Sequence, residues 1–199
     1  MEFSIMDVES LSPQRRPKVS DVITGVGIKT RDKEWIRIIK PSGGIHTDND
    51  EAHLILDTIE ELHCTKADIL AGCYLWSFDL PSLIARAAEL SWRFSRDTNR
   101  ELQLELGQAL GRFRIIDLAT CDWVIKELLP KYGKYLSVDE LCKELTDEEP
   151  LEFPKDFHVW ASAKALCGEP KHLVKRLEND LRIEWAILQA LCKKNYLPI

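Results

Sequence analysis

Apolar and polar residues alternate at two different periods along the chain. Phe3 to Val8 is a short apolar run of strand length. Val22 to Lys29 is a second β-rich run, and Glu34 to Ile39 a third, with Trp35, Ile36, Ile38 and Ile39 alternating only in part. The polar stretch Arg31-Asp32-Lys33 between the last two suits a hairpin turn. The opening therefore predicts three strands in an antiparallel meander. After the loop Pro41-Ser42-Gly43-Gly44 the period becomes helical, with Leu54, Ile55, Ile59 and Leu62 on one face of a helix from about Asp50 to Leu62. Ile69 to Leu75 predicts a strand, and Asp79 to Leu90 a helix with Pro81 near its start, where proline is tolerated. Arg114 to Leu118 predicts a strand, and Cys121 to Leu129 a helix. Ser137-Val138-Asp139-Glu140 is a capping box that opens a helix to Leu145. The acidic, proline-containing stretch Thr146 to Phe157 predicts a surface loop, followed by helices near His158–Leu166 and Pro170–Lys194. This order implies one α/β domain over residues 1–199, built on a mixed sheet flanked by helices.

Composition adds exclusions. The chain has 199 residues, 45% hydrophobic and 30% charged, ordinary for a globular protein with a substantial core. Its apolar runs are too short to span a bilayer, which predicts no membrane association. The start, MEFSIMDVES, has two acids and no basic flank, so it does not resemble a secretory signal, and a cytoplasmic location is expected. Six scattered cysteines form no CxxC pair, so a zinc site is not indicated and buried free thiols are expected. The net charge of −6 argues against a tight nonspecific nucleic-acid binder, which draws its affinity from basic groups. It fits a site that gathers carboxylates around divalent metal.

Three acidic elements are candidates for that site. Asp7 and Glu9 are i and i+2 on the first strand and so share a face. Two acids side by side either end the strand in solvent or repel each other until a hard cation enters. Phe78-Asp79-Leu80-Pro81 joins the fourth strand to a helix, where Asp79 either meets the positive helix N-terminus or faces the first pair across the strand ends. Leu173, Leu177, Leu181 and Leu188 form a core stripe on the last helix. Arg176, Asp180 and Glu184 form a neighbouring stripe, on which Arg176 and Asp180 suit a surface pair.

Taken in order, these elements resemble the ribonuclease-H-like 3′–5′ exonucleases with four acids, most of all the branch that includes the proofreading domain of family-B DNA polymerases. Met6-Asp7-Val8-Glu9-Ser10 resembles its first motif, and Asp21-Val22-Ile23-Thr24-Gly25-Val26-Gly27-Ile28 its second strand. Gly72-Cys73-Tyr74-Leu75-Trp76-Ser77-Phe78-Asp79-Leu80-Pro81 resembles its second motif. Ile116-Asp117-Leu118, Leu136-Ser137-Val138-Asp139-Glu140-Leu141 and Glu178-Asn179-Asp180-Leu181 resemble its later elements. The resemblance implies a ribonuclease-H-like fold with a five-stranded mixed sheet. It also implies metal-dependent hydrolysis of phosphodiester bonds in single-stranded nucleic acid, DNA ahead of RNA, with two Mg²⁺ or Mn²⁺ ions. Asp7 would bridge both ions, Glu9 and Asp180 would hold one, and Asp79 would help hold the other.

Two departures stand out. Tyr74 occupies the place of the family's asparagine, and Lys175 and Arg176 occupy the places of the histidine or tyrosine that orients water. Arginine is effectively always protonated and cannot act as that base. His172 is a candidate replacement and His158 a weaker one. Contacts to substrate are expected from Arg15, Arg16 and Lys18, from Tyr74 and Trp76, and from Lys175 and Arg176. Trp92, Arg93, Phe94, Arg96 and Arg100 interleave aromatic and basic residues in a further candidate surface. A separate replication, repair or polymerase chain is the implied partner. An inactive module of the same fold binding nucleic acid or protein, and a structure-specific endonuclease, are the alternatives.

Overall fold

The computed structural model describes residues 2–11, 21–44, 46–98 and 101–197. Its strands are β1 (Phe3–Leu11), β2 (Val22–Lys29), β3 (Glu34–Ile38), β4 (Ile69–Gly72) and β5 (Arg114–Asp117). Its helices are α1 (Asp48–Cys64), α2 (Leu80–Thr98), α3 (Leu102–Leu110), α4 (Leu129–Tyr132), α5 (Val138–Leu145), α6 (Phe157–Leu166) and α7 (Lys171–Lys193). The strands form one sheet in the order β3-β2-β1-β4-β5. β1, β2 and β3 are the expected antiparallel meander, and β4 and β5 add in parallel to β1.

Strand alternation decides which residues reach which layer. Met6, Val8 and Leu70 join the core beneath α1, α2 and α3, where Leu54, Ile55, Leu83 and Leu106 are buried. Ile5, Ile69 and Ala71 face the other way, toward Leu141 of α5 and Ile183, Ile187 and Leu191 of α7. Asp7 and Glu9 share the parity of Ile5 and so fall on the α7 side. Their partners across β2 are Gly27 and Gly25. A Cβ on Gly27 would meet Leu181 Cδ1 at 2.7 Å, and one on Gly25 would meet Leu177 Cδ1 at 2.9 Å. The two glycines let α7 settle directly on β2, which brings its polar stripe beside Asp7 and Glu9.

Both capped helices follow local sequence. Ser137 and Glu140 form the expected capping box at α5, and Thr47 with Asp50 forms another at α1. Three expectations are corrected. The apolar run from Ile69 pairs as a strand only to Gly72, because the backbone then turns through Tyr74 at φ 60° into a π-helical turn, Leu75–Asp79. Asp79 therefore ends that turn, and α2 begins at Leu80. The helix expected over Cys121–Leu129 contains a second π-helical turn, Val124–Leu128, which runs into α4. The third concerns the cysteines. All six are free, yet only Cys73 and Cys142 are buried, while Cys64 and Cys167 are exposed. α3 is an element that the hydrophobic pattern did not reveal. Among the described residues no helix is long and apolar enough to cross a membrane.

Candidate metal centre

The sheet, the π-helical turn after β4 and the middle of α7 enclose a cavity of about 440 Å³. Asp7, Glu9, Asp79, Asp180, Glu184 and Arg176 all line it. Asp7 and Glu9 come from β1, where the register with β2 shifts between Glu9 and Ser10. Asp79 comes from the end of the π-helical turn, and Asp180 and Glu184 lie one helical turn apart on α7. Asp7, Glu9 and Asp180 each offer an oxygen, and these oxygens lie within 4.8 Å of one another. Five carboxylates thus converge from three elements distant along the chain.

Their electrostatics are those of acids crowded out of water. Burial, then the charges of Asp180 and Glu9, hold Asp7 well above the usual carboxylate range. Burial, then Asp7 and Glu184, do the same to Asp79. Burial and then Asp7 raise Glu184, against the Cys73 N–H that favours its charged form. Burial pushes Asp180 up to about 7, although Arg176 pulls the other way. Three buried carboxylate oxygens of this cluster have no hydrogen-bond partner among the described residues: Asp7 Oδ2, Asp79 Oδ2 and Glu184 Oε2. A buried, unpartnered carboxylate oxygen is costly unless a cation or proton meets it. An all-oxygen donor set with free lone pairs fits Mg²⁺ or Mn²⁺, hard ions that prefer such ligands. The residues present therefore fit the group that the acidic pattern implies.

One cation of the protein already reaches into this set. Arg176 pairs through Nε with Glu9 Oε1, and the same nitrogen lies 3.4 Å from Asp180 Oδ2. The surface Arg176–Asp180 pair suggested by the helical spacing is thus a partly buried bridge across the mouth of the acid cluster. Asn179 steadies the neighbouring acid: its Nδ2 donates to Asp180 Oδ1 at 3.1 Å, while its own Oδ1 accepts from the Leu151 N–H at 3.0 Å. Asp117, at the end of β5, fixes the other wall. Its carboxylate accepts from the N–H groups of Tyr74, Trp76, Ala119 and Thr120 at 3.0–3.2 Å, clamping the backbone where it turns toward Asp79.

The remaining expected residues are distributed unevenly. Tyr74 lines the cavity and donates its hydroxyl to the Leu136 carbonyl. Trp76 and Lys175 are exposed nearby on the same elements. His172 packs tilted against Trp160, ring centroids 4.5 Å apart, and edge-on to Phe157, and it does not line the cavity, whereas His158 does. Arg15, Arg16, Lys18 and Arg100 lie outside the described residues, as do the side chains of Arg93, Phe94 and Arg96; Trp92 is exposed. The acidic stretch before α6 is more than a surface loop, since Phe153, Pro154 and Asp156 form one wall of the cavity. Glu184, Asn179 and Asp117 were not expected in the site. The stripe Arg176–Asp180–Glu184 was the available signal for Glu184, and the acid at the carboxyl end of a parallel strand was the one for Asp117.

No protein family's sequence pattern matches the chain, and neither does any curated protein sequence. Among solved structures, the family B DNA polymerase from the hyperthermophilic archaeon Pyrobaculum calidifontis is similar, with a TM-score of 0.66 and 15% sequence identity. The match covers 96% of this chain and 24% of the polymerase chain, so the protein spans about a quarter of that enzyme's length. The likeness is one of fold, a mixed five-stranded sheet flanked by helices that part of the polymerase chain shares.

Proposed function

We propose that this ribonuclease-H-like chain is a metal-dependent 3′–5′ exonuclease that hydrolyses phosphodiester bonds of single-stranded nucleic acid, DNA ahead of RNA. The observation that carries the reading is the convergence of Asp7, Glu9, Asp79 and Asp180 in one cavity that also contains unpartnered, buried carboxylate oxygens. In this reading Asp7, Glu9, Asp79 and Asp180 would hold two divalent ions, with Asp7 serving both, Glu9 and Asp180 one and Asp79 the other. When bound, such ions lower the pKa of water and stabilise the departing 3′ oxygen. The protein's own groups bind and orient. Asp117 and Asn179 hold the walls at fixed distance from β1. Tyr74, Trp76 and the Phe153–Phe157 wall offer ring surface to unstacked bases. Of the two candidate imidazoles, His158 lines the cavity and His172 packs against Trp160, so His158 is the one this reading proposes to accept a proton from attacking water. The expected partner class remains a replication, repair or polymerase chain. The test is incubation of a 5′-labelled single-stranded oligonucleotide with Mn²⁺ or Mg²⁺. Stepwise shortening by the wild type, abolished in Asp7→Ala, supports the reading; an intact oligonucleotide contradicts it.

A second reading has its own observation. Arg176 already neutralises Glu9 and Asp180, as would suit a module that keeps the fold and binds nucleic acid or protein without hydrolysis. Calorimetry separates the two readings: heat of Mn²⁺ binding at millimolar concentration favours the exonuclease, and none favours the inactive module.

A further inference from the structure

We propose that Glu184 is a fifth carboxylate ligand, forming with Asp7 and Asp79 a divalent-cation seat separate from the Glu9–Asp180 side that Arg176 crosses. This rests on the metal-dependent reading above and extends it to a residue that the four-acid pattern does not contain.

Glu184 is 1% exposed, on the buried face of α7. Its Oε1 accepts the Cys73 N–H at 3.0 Å, which fixes the carboxylate against the end of β4. Its Oε2 lies beside Gly72, 3.6 Å from where a Cβ would stand. The second oxygen, Oε2, is buried without a partner, and so is Asp79 Oδ2. Both residues line the cavity that Asp7 lines; among the described residues the oxygens already within 4.8 Å of one another are those of Asp7, Glu9 and Asp180, so an ion in this seat would draw Asp79 and Glu184 inward. A glutamate kept only for structure would have both oxygens satisfied or would reach solvent. The protein's own cation does not serve this side, because Arg176 makes its ion pairs with Glu9 and Asp180. The charges that Asp79 feels most strongly are all negative, with Asp7 first and Glu184 second. The chemistry of the place is thus three acid side chains, two of them nearly dry, with three buried unpartnered oxygens; Arg176 acts on Asp7 from a distance while its ion pairs go to Glu9 and Asp180. Mg²⁺ and Mn²⁺ take oxygen ligands from such carboxylates, and filling this seat requires no displacement of the Arg176 guanidinium.

Manganese titration followed by electron paramagnetic resonance tests the assignment on the full chain. Glu184→Gln keeps the carbonyl that accepts the Cys73 N–H and removes the charge. It is expected to weaken the tightest Mn²⁺ binding by at least about tenfold. Glu178→Gln, exposed on the same helix, is expected to bind as the wild type does. Wild-type binding that persists unchanged in Glu184→Gln overturns the fifth ligand and leaves the exonuclease reading standing. Absence of Mn²⁺ binding to the wild type at about 10 mM, roughly tenfold above the dissociation constants of the weakest calcium sites, overturns both. If Glu184→Gln does not fold, wild-type protein carrying ¹³C at its glutamate carboxyl carbons gives the answer under Mg²⁺ titration. The proposal predicts a shifted Glu184 signal, and an unmoved one overturns it.

Discussion

Arg176 is the charge that a metal ion bound by Glu9 and Asp180 would have to meet. Its guanidinium lies against Glu9 and Asp180, so an ion held by those acids competes with a charge the protein already owns. A charge-assisted hydrogen bond of this kind contributes about 1.5–3 kcal/mol. Arg176→Gln is therefore expected to tighten Mn²⁺ binding by about tenfold or more, read by calorimetry; unchanged or weaker binding would show that the guanidinium does not compete. Protons compete as well. Unfolded carboxyls titrate near 4, whereas in the metal-free fold Asp180 sits at about 7 and Asp7, Asp79 and Glu184 are held well above the usual range. Groups raised on folding contribute stability that is complete below the unfolded pKa and is lost as pH rises through the folded one. The melting temperature of protein freed of metal should therefore fall between about pH 5 and pH 8, and Mn²⁺ should restore it most at pH 8. A flat or rising profile would contradict the crowding of these acids. Asp7, Glu9, Asp79 and Asp180 were readable as one set through the resemblance of their motifs, in order, to a known family; spacing alone suited a solvated strand end, an N-cap and a surface ion pair equally well. Glu184 was visible only as the third member of a charged helical stripe. Whether such a stripe faces water or a cavity depends on what packs against it, and that is a tertiary fact.

Elements hold the acids at their separations, and two contacts carry most of that work. β1 and β4 approach so closely that a Cβ on Gly72 would lie 2.5 Å from the Met6 carbonyl oxygen, a backbone atom unable to step aside. Gly72→Ala is expected to cost about 1–3 kcal/mol, typical of overpacking, measured as a lower urea midpoint; an unchanged midpoint would show that the strands part freely. Asp117→Ala removes the acceptor from four backbone N–H groups around the π-helical turn. A loss of about 1–3 kcal/mol is expected where buried donors are stranded, together with weaker Mn²⁺ binding as Asp79 loses its fixed position. Full stability would show that water replaces the carboxylate. The meander, α1, α5 and α7 were legible because their periods and capping residues are local. The π-helical turn at Leu75–Asp79 was not, because it depends on Asp117, about forty residues away, to hold its entry. α3 escaped notice for a related reason: its N-cap, Glu101, makes no side-chain cap and Gly107 interrupts its pattern, so packing of Leu102 and Leu106 against the core carries it.

At the scale of the whole molecule, one mixed sheet brings three acidic segments, spread from Asp7 to Glu184, to the same end of the strands. The net charge of −6 is consistent with that gathering of carboxylates. The mixed five-stranded sheet and its opening antiparallel meander match the expectation from the chain, and the structural likeness to a family B DNA polymerase extends over 96% of this protein. What fold alone leaves open is the chemistry, which belongs to the site. The most direct test is a crystal of the wild-type protein soaked in MnCl₂ and measured for manganese anomalous scattering. The account predicts anomalous peaks inside the cavity, each within about 2.5 Å of a carboxylate oxygen, with Asp7 touching every ion present. A cavity free of anomalous signal at millimolar Mn²⁺, with Arg176 still seated between Glu9 and Asp180, would contradict it.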